Sequence, residues 1–553
     1  MTEATKRYIP FICAVVLGLI AVSPYVMHTF HPSYEGLTVI RDKDFGNYYS
    51  RFERALRGFG AEANNAITPV GSHIDGMQVA GPERFVGFLL GWTREPLASL
   101  GFRASFPSAP TISVILIPIF LTALFLLFVY FFKLLEFTRW WALWMTIVYF
   151  VITFHIVSRA VHLGWSYIPI VGALIAFMAF YKKSSLRNAI ITGILLGILP
   201  YVYFWGFTYV WACVACFAAY EIFANGLKNS LQATSYKLQA TIVIALTIAI
   251  SIPFFLHTYE LAQNPFYSQI EIRGSFLYTR GVESIPRSVL LALQTLLMLT
   301  LWRRFKNKFS YIAVISMLTG ILIAMHQNFV HGKILMFSSH YYPFLLLSTL
   351  IAGSWVIANK TPLLRKFLIA VISLVFLGAG FVDYIDGHRF FVPREENFRD
   401  QHLTAPISHL RDNGSNDVIL TDAHTGRVLT SWTEDGIVYT THARFLLISD
   451  EEIAERYCVS ELFTDGPPDS HRTIYIEYND VLDSPEMRAK EERLVLEACA
   501  RVQSDPESYL KKYGVTHVLW NQFERPDWNI FQYDLPLKVV DSKDDWLLLK
   551  LSS

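Results

Sequence analysis

The arrangement of apolar stretches is the feature that most constrains the fold of this chain. An α-helix needs about 17–25 apolar residues to cross a bilayer, and eleven stretches approach or reach that length. Only 17% of the 553 residues are charged, against about a quarter in an ordinary soluble protein. The pattern predicts a polytopic α-helical membrane domain with about eleven spans. They lie at 8–27, 111–132, 139–158, 163–181, 188–203, 205–223, 238–257, 287–302, 309–326, 341–358 and 366–383.

The charges in the gaps between these stretches predict the topology. Every second gap is short and basic, as expected of loops that stay in the cytoplasm. The first of these basic segments, Lys6 and Arg7, precedes an apolar core without a small-residue cleavage site, which indicates an uncleaved signal anchor. Eleven crossings then place the N-terminus inside and the chain from about residue 384 outside. The other basic gaps contain Lys133 and Arg139; Lys182, Lys183 and Arg187; Lys228 and Lys237; Arg303, Arg304, Lys306 and Lys308; and Lys360, Arg365 and Lys366.

One uncharged segment is too long for a single ordinary span. Residues 189–220 form a run of 32 without a charge, interrupted by Pro200 and Gly206. Both residue types break regular helices, so we expect two short helices here. They form either two crossings or a re-entrant pair, and both arrangements preserve the predicted topology.

The chain changes character near residue 390. Short apolar runs of strand length alternate with helical patterns, which predicts a small α/β domain. Ser449 and Asp505 are expected to cap two of its helices, and Gly514 to close the second. The predicted division is therefore a membrane domain at 1–384, with a structured first outer loop at 28–110, and an extracytoplasmic α/β domain at 385–553. The predicted strands are DVILTDA, GIVYTTH, RTIYIEYN, VTHVLW, LKVVDS and WLLLKL.

Two further residue classes limit the possibilities. The net charge is +1 and no long basic run occurs, so we do not expect a nucleic-acid partner. Cys458 and Cys499 both belong to the predicted outer domain, where an oxidising compartment would favour a disulfide. The alternative is that both are buried free thiols.

The segment 41–60, RDKDFGNYYSRFERALRGFG, follows the first span directly. Its aromatic and leucine residues recur at three- and four-residue spacing, whereas Arg51, Glu53, Arg54 and Arg57 fall on the other face. Such a helix is expected to lie flat at the membrane interface, with its aromatic side in lipid. Asp42 and Asp44 precede it. Either Asp44 caps the helix and Asp42 is a solvated loop residue, or both carboxylates are held where a lipid-linked substrate presents its head group.

Three short segments carry a resemblance to a known class of enzymes. They are DKDFGNYY at 42–49, HYYPFL at 340–345 and YLKKYGVTHVLW at 509–520. With the order of spans, long first loop and outer α/β domain, they resemble the GT-C class of integral-membrane glycosyltransferases. The similarity is to the protein mannosyltransferase and aminoarabinose transferase branch and its uncharacterised bacterial relatives.

The resemblance implies a reaction and a location. A sugar would move from a polyprenyl-phosphate donor to a glycan, lipid or protein acceptor on the outer face of the bacterial inner membrane. Asp44 resembles the catalytic base, which takes the proton of the attacking hydroxyl or amine. Asp42 would position the acceptor or a divalent cation, although no cofactor is required. Because the leaving group is a phosphate, the site needs cationic groups rather than a general acid.

Candidates for binding the donor phosphate lie on the predicted outer loops. Arg159 lies with His155 and His162 at the end of the third span, where an ionisable cluster indicates function unless the arginine merely snorkels to the interface. We favour Arg273, Lys333 and His340 for the phosphate. Tyr341 and Tyr342 begin the tenth span beside them, and tyrosines there also form the aromatic belt.

Other polar clusters gave weaker signals. The spacing of His326, His331 and His340 matches no standard zinc motif, so no metal site is predicted from them. The outer domain contains several cationic side chains in no arrangement that indicates a second active site, and we expect this domain to cover the membrane site or to help bind the acceptor. These side chains are His424, Arg427, His442 and Arg444.

Two other functions fit parts of the pattern. A polysaccharide polymerase or ligase would share the many spans and the large outer loop, but such proteins usually rely on Arg and His and tend to lack a C-terminal α/β domain. A transporter would be expected to show internal repeats and ionisable residues in mid-membrane. No repeat is found, and the spans contain almost no charge away from their ends. The sequence therefore favours a glycosyltransferase.

Overall fold

The computed structural model divides the described chain into two compact units. The first unit comprises Met1–Pro24, Ile115–Leu256 and Leu277–Val392, and the second comprises Tyr25–Val114, His257–Phe276 and Pro393–Ser553. The described residues are 3–40, 45–56, 81–97, 107–159, 161, 163–225, 234–273, 277–278, 284–306, 308–334, 338–359, 369, 393–413, 417–433, 435–466, 473–475, 485–543 and 545–552.

The first unit is built from apolar helices. They are α1 (Glu3–His28), α4 (Ala109–Leu134), α5 (Arg139–Val157), α6 (Leu163–Lys182), α7 (Leu186–Val202), α8 (Phe204–Asn225), α9 (Thr234–Ala262), α11 (Ile285–Thr300), α12 (Trp302–Phe305), α13 (Phe309–Met325), α14 (Asn328–His331) and α15 (Tyr342–Ala358). The first residues of α4 and the last residues of α1 and α9 are grouped with the second unit. A two-residue antiparallel pair joins β1 (Leu277–Tyr278) to β2 (Lys333–Ile334).

Within the described residues, six helices are long and apolar enough to cross a membrane. They are α1, α4, α6, α8, α9 and α13, the last together with α14. The shorter apolar helices α5, α7, α11 and α15 occupy four more of the predicted stretches. The eleventh stretch, 366–383, lies outside the described residues apart from Ile369. The chain is thus a helical membrane protein, and the count of eleven crossings stays a prediction.

The long uncharged segment 189–220 folds as two helices, as expected. The break falls at Tyr203, whose extended backbone separates α7 from α8, and Pro200 lies inside the last turn of α7. The Trp211 indole donates to the carbonyl of Leu196 at 3.1 Å, so the two helices lie side by side. A Cβ on Gly206 would lie 2.3 Å from Ile170. Gly206 therefore permits close packing of α8 on α6 rather than forming the break.

The second unit contains a five-stranded mixed sheet in the order β4-β3-β5-β7-β6. The first three strands of that order are parallel, whereas β7 runs antiparallel to both β5 and β6. The elements are α2 (Phe45–Leu56), α3 (Pro82–Leu97), α10 (Tyr267–Arg273), α16 (Thr404–Asn413), β3 (Val418–Leu420), α17 (Ala423–Trp432), β4 (Gly436–Ile437), α18 (Asp450–Ser460), α19 (Pro485–Ser504), α20 (Pro506–Lys512), β5 (His517–Asn521), β6 (Leu537–Lys543) and β7 (Trp546–Leu551).

Both faces of this sheet are covered. Successive side chains of a strand point to opposite faces, and the neighbours Val518 and Leu519 accordingly belong to different hydrophobic clusters. One cluster packs α18 and α19 against the sheet, and the other packs α16 and α17 against the opposite face. The predicted α/β domain is therefore a three-layer sandwich.

Local signals in the sequence predicted much of this domain. Ser449 accepts a hydrogen bond from the Glu452 amide at the start of α18, and Asp505 accepts one from Ser508 at the start of α20. Gly514 follows α20 with a φ of +65°, which glycine adopts without strain. Cys458 and Cys499 are joined in a disulfide. One predicted strand is absent from the described residues, because 473–475 of RTIYIEYN form a bend and the rest lies outside them.

The composition of the second unit differs from the predicted division of the chain. The predicted boundary near 384 lies close to Pro393, where the last of the three segments of the second unit begins. However, the first loop and the segment after α9 are grouped with this unit rather than with the membrane domain. Three of the five segments that the charge pattern places outside therefore contribute to the second unit, whereas 155–162 and 327–340 are grouped with the first.

Candidate functional site

The proposed catalytic carboxylates, Asp42 and Asp44, lie outside the described residues. The helix that follows them, α2, begins at Phe45, and its side chains are described from Tyr48 onward. The surroundings of α2 therefore define the chemistry available beside this part of the chain.

Both faces of α2 are buried in the protein, which corrects the expectation that its aromatic side lies in lipid. On the apolar face, Phe52 is 0% exposed. On the charged face, Arg51, Glu53 and Arg54 are only 1–3% exposed. Helices α3 and α17 pack against α2. A charged helical face is normally solvated, and its burial here requires other charged groups nearby.

Helix α3 provides some of those groups. Its first turn carries Glu83 and Arg84, both buried. A carboxylate oxygen of Glu83 lies 3.7 Å from the Arg51 guanidinium, with side chains 0% and 2% exposed. Close approach of the two helices depends on Gly87, where a Cβ would lie 2.6 Å from Ala55.

The carboxylate of Glu53 connects α2 to the beginning of a membrane-spanning helix. It accepts a hydrogen bond from the Ala109 amide, the first residue of α4, at 2.6 Å. A negative charge is favourable at a helix N-terminus, where the amide groups lack partners within the helix. The contact joins α2 to the first residue of α4, within the second unit.

The other side of the site is the carboxyl edge of the parallel strands β3, β4 and β5. In open α/β sheets, this edge is where ligands bind. After β3, Asp422 caps α17 by accepting from the amides of His424 and Thr425 at 2.9 and 3.0 Å. One turn further on, α17 carries Arg427. After β4, a short 3₁₀ turn carries His442 and Arg444.

We define the arginine cluster as Arg51, Arg84, Arg427 and Arg444 with His442. Burial, together with the positive charges of Arg427, Arg51 and Arg444, lowers the pKa of His442 to about 3. His442 is therefore neutral at physiological pH. Burial also lowers the pKa of Arg84 to about 10, with a contribution from Arg51. His442 therefore lies within electrostatic range of Arg51, Arg427 and Arg444, and Arg84 lies within range of Arg51.

The cluster favours a negatively charged ligand. Arg51, Arg427 and Arg444 all act on His442, and Glu83 is an acidic group that offsets part of the charge of Arg51 and Arg84. Arginine is suited to phosphate and carboxylate because its guanidinium donates in a planar fork. The half-buried side chains of Arg427, His442 and Arg444 form the part of the cluster nearest to solvent.

A second histidine lies next to the cluster on α17. His424 Nε2 lies 2.7 Å from a carboxylate oxygen of Asp400. This hydrogen bond raises the pKa of His424, whereas burial and Arg427 oppose the shift. Two histidines of one unit thus have pKa values displaced in opposite directions by their surroundings.

The structure gives Arg273 a role different from the predicted one. Its side chain is 0% exposed, and it donates to the carbonyls of Arg444, Leu446 and Ile448 and to the Asp450 carboxylate at 2.8–3.1 Å. Four of its five N–H groups are thereby used. Arg273 is a structural cross-link within the second unit, and it is not available to a phosphate.

Arg159 and Lys333 are described only in part. Arg159 is half-buried, directly after the end of α5. The side chain of His155 and all of His162 lie outside the described residues, so the predicted cluster of three is not tested. The backbone of Lys333 pairs with Tyr278 in the β1–β2 ladder, but its side chain lies outside the described set.

The structure brings His340 and Tyr341 together with polar and aromatic groups of the first unit. His340 Nδ1 lies 2.6 Å from the Tyr203 hydroxyl, and its ring lies 4.5 Å from that of Trp205. The Tyr341 hydroxyl bonds with Thr208 at 2.7 Å and with Gln327 at 2.8 Å. This aromatic cluster joins the start of α8 to the turns around α14 and α15.

Tyr342 has a different partner. The guanidinium of Arg287, at the start of α11, lies 3.8 Å from the centre of its ring. Arg287 is a cation that sequence reasoning did not select. Its signal was its position at the predicted outer end of the eighth span, directly after the 258–286 loop.

Other residues missed from the sequence are Glu83 and Arg84, which lie in the first loop. Their signal was an acidic and a basic residue immediately before an apolar helical pattern. Within the described residues, no group of three or more His, Cys, Asp or Glu side chains is arranged to hold a metal ion. The possible cation site at Asp42 and Asp44 lies outside them.

No model of a known protein family matches this chain, and no curated protein matches it either. The function must therefore be argued from the residues and their geometry.

Proposed function

We propose that this chain is an integral-membrane glycosyltransferase of the GT-C type. It moves a sugar from a polyprenyl-phosphate donor to a glycan, lipid or protein acceptor on the extracytoplasmic face of a bacterial inner membrane. Asp44 is the catalytic base, and Asp42 positions the acceptor or a divalent cation. The chain crosses the membrane eleven times, with its N-terminus inside and its C-terminal domain outside.

The observation that carries this proposal is the buried arginine cluster beside α2. The same helix that follows the two carboxylates carries Arg51, which lies within electrostatic range of His442 and Arg84. Glycosyl transfer from a lipid phosphate needs a base for the acceptor and cations for the leaving phosphate, both close to the anomeric carbon. A transporter, which breaks no glycosidic bond, does not require this combination.

In the proposed reaction, the acceptor oxygen or nitrogen attacks the anomeric carbon of the sugar. The bond between that carbon and the phosphate oxygen breaks, and its electron pair leaves with the polyprenyl phosphate. Asp44 takes the proton from the attacking group. The arginine cluster stabilises the phosphate dianion, and His442, neutral at physiological pH, is able to donate a hydrogen bond to it.

Two further observations support the outward orientation. Three of the five segments that the charge pattern places outside, 28–110, 258–286 up to Phe276 and the C-terminal region, contribute together to the second unit. The Cys458–Cys499 disulfide also fits an oxidising compartment.

The test is transfer of label by the full-length protein in liposomes that contain the natural membrane-lipid and glycan extract as acceptor. The probes are undecaprenyl phosphates bearing a labelled hexose, N-acetylhexosamine or aminopentose, assayed separately. We expect Asp44→Asn to lower transfer by about 10²–10⁴-fold, the range of general-base catalysis. Undiminished transfer with folded protein would remove Asp44 from the mechanism.

A matched substitution separates the base from the phosphate site. Arg51→Lys keeps the charge but loses the planar fork, so we expect weaker donor binding with transfer still measurable at high donor concentration. Lengthened or shortened product chains in either variant, instead of loss of single-sugar addition, would favour a polymerase. Donor uptake into the vesicle lumen without transfer would favour a transporter.

A further inference from the structure

Helix α3 has a face that the proposed reaction does not explain. Its inner face carries Glu83, Arg84 and Gly87 against α2, whereas Phe85, Leu89 and Trp92 are 72%, 51% and 77% exposed. These three residues recur at i, i+4 and i+7, so they form one stripe along the helix. In a soluble protein such a contiguous aromatic stripe would mark an interaction site.

The contacts of α2 show where this stripe lies relative to a membrane-spanning helix. The amide of Ala109 at the start of α4 donates to Glu53 of α2, and α3 packs on the same α2. Helix α4 has 26 residues and is among the most apolar of the chain. At 1.5 Å per residue it is about 39 Å long, more than the hydrocarbon thickness of roughly 30 Å. Its first residue, and with it α2, must therefore lie near the membrane surface.

The chemistry of the stripe fits the same location. Tryptophan and phenylalanine are favoured at the boundary between lipid head groups and acyl chains. The charged residues of the first turn, Glu83 and Arg84, are turned inward and buried. The bilayer that surrounds α4 offers a partner of matching chemistry to this exposed aromatic and aliphatic surface.

We propose that α3 is an interfacial membrane helix, with Phe85, Leu89 and Trp92 inserted among the lipids at the end of the bilayer where α4 begins. The occupant of this surface is the acyl-chain and head-group boundary of the bilayer. This inference does not depend on the proposed glycosyltransferase activity. It assigns to α3 the interfacial position that the sequence predicted for α2.

The consequence for the proposed site is direct. One helix has lipid on its outer face and Arg84 of the arginine cluster on its inner face, separated by the helix diameter of about 10 Å. A lipid-linked anion could then remain in the bilayer while its head group meets the cluster.

The experiment measures the surroundings of the stripe in the full-length protein. Cys13, Cys213 and Cys216 are replaced by alanine, and the disulfide is kept. Nitroxide labels are attached through Phe85→Cys, Leu89→Cys and Trp92→Cys, one at a time, in liposomes of phosphatidylethanolamine and phosphatidylglycerol. The control label is at Phe523→Cys, an exposed aromatic position (60%) after β5.

We expect the three stripe labels to collide with oxygen, which partitions into lipid, several times more often relative to a water-soluble nickel chelate than the control label does. Collision ratios equal to the control would show that the stripe faces water and would overturn the proposal. Labels shielded from both reagents would show a protein cover, from a second copy or from another part of this chain, and would also overturn it.

A second measurement requires no substitution. The wild-type protein is reconstituted with a phospholipid that carries a photoreactive diazirine in its acyl chain, and crosslinked peptides are identified by mass spectrometry. We expect adducts on the peptide containing residues 85–92 and none on the peptide containing 523–531. Adducts on neither peptide, with adducts present on the apolar helices, would contradict the proposal.

Discussion

Helices α2 and α3 lie next to each other and have opposite surroundings. Both combine an apolar face with charged residues, and the charged side chains described for each, among them Arg51 of α2 and Glu83 of α3, are buried. In α2 the apolar face is buried as well, with Phe52 0% exposed. In α3 the apolar face is open, with Trp92 77% exposed.

The difference teaches what amphipathicity does and does not determine. An apolar stripe needs a place away from water, but a protein core and a lipid interface satisfy it equally. The charged faces decide between them here. Arg51 and Glu83 pair across the two helices, and a third element, α17, covers α2 but not the outer face of α3.

The largest expected effect comes from breaking the charge pairing between the helices. Glu83→Gln leaves the buried Arg51 and Arg84 without their shared negative charge, so we expect a loss of about 3–5 kcal/mol in the free energy of unfolding. The measurement is thermal unfolding of the full-length protein in detergent, followed by circular dichroism.

The chain provides a matched control with the same separation of charges. Arg394 and Glu396 also lie 3.7 Å apart, but their side chains are 46% and 65% exposed. Glu396→Gln should cost less than about 1 kcal/mol. If Glu83→Gln proved equally mild, the charges between α2 and α3 would be solvated, and the arginine cluster would not be a low-dielectric site.

A smaller effect is expected from separating the two helices sterically. In Gly87→Ala the new Cβ would lie 2.6 Å from that of Ala55 and 3.1 Å from the Phe52 ring. Overpacking of this kind typically destabilises a protein by about 1–3 kcal/mol. The same unfolding experiment measures it, and the ratio of oxygen to nickel collisions at position 89 should fall if α3 moves out of the interface.

Gly172→Ala is the control for helix propensity. Gly172 lies inside α6 and has no atom within 4 Å of its added Cβ. Both substitutions gain up to about 1 kcal/mol from the better helix propensity of alanine. The difference between their free energies of unfolding therefore isolates the contact of α3 with α2. Equal values would mean that α2 and α3 can move apart at little energetic cost.

The sequence predicted the existence of α2 but not its environment. The spacing of Tyr49, Phe52 and Leu56 identifies a helical face from local information alone. Whether that face meets lipid or protein depends on α3 and α17, which are separated from α2 in the chain. The sequence placed Glu53 on the charged face of the helix, but its carboxylate accepts a hydrogen bond from the Ala109 amide, the first residue of α4.

The same distinction applies to the rest of the fold and site. Capping residues such as Ser449 and Asp505, the five strands and the disulfide follow from local patterns and were predicted. The arginine cluster could not be predicted in this way, because its members lie far apart in the chain, from Arg51 to Arg444, and meet only through the packing of α17 on α2. Arg273 shows the converse error, since an arginine in an aromatic loop was predicted to bind phosphate but holds three carbonyls and Asp450.

The smallest expected effect is a pair of opposite pH dependences that reports on α2. His442, next to Arg51, Arg427 and Arg444, has its pKa lowered to about 3 from an ordinary value of 6.5. Its contribution to stability is present above pH 6.5 and is lost as the pH falls towards 3. His424, held by Asp400, has a raised pKa, so its contribution is present below pH 6.5 and is lost as the pH rises through the folded-state value.

We therefore expect His442→Gln to flatten the fall in melting temperature below pH 6.5, and His424→Gln to flatten the change above it. Arg51→Met should act in the same direction as His442→Gln but more weakly, because it removes one of the three charges that lower the pKa of His442. Since α2 supplies that charge, the effect depends on the helix being buried against α17. Suppose that His442→Gln flattens the fall in melting temperature below pH 6.5 but Arg51→Met leaves it unchanged. Helix α2 would then not reach the carboxyl edge of the sheet, and the contrast between α2 and α3 would no longer hold.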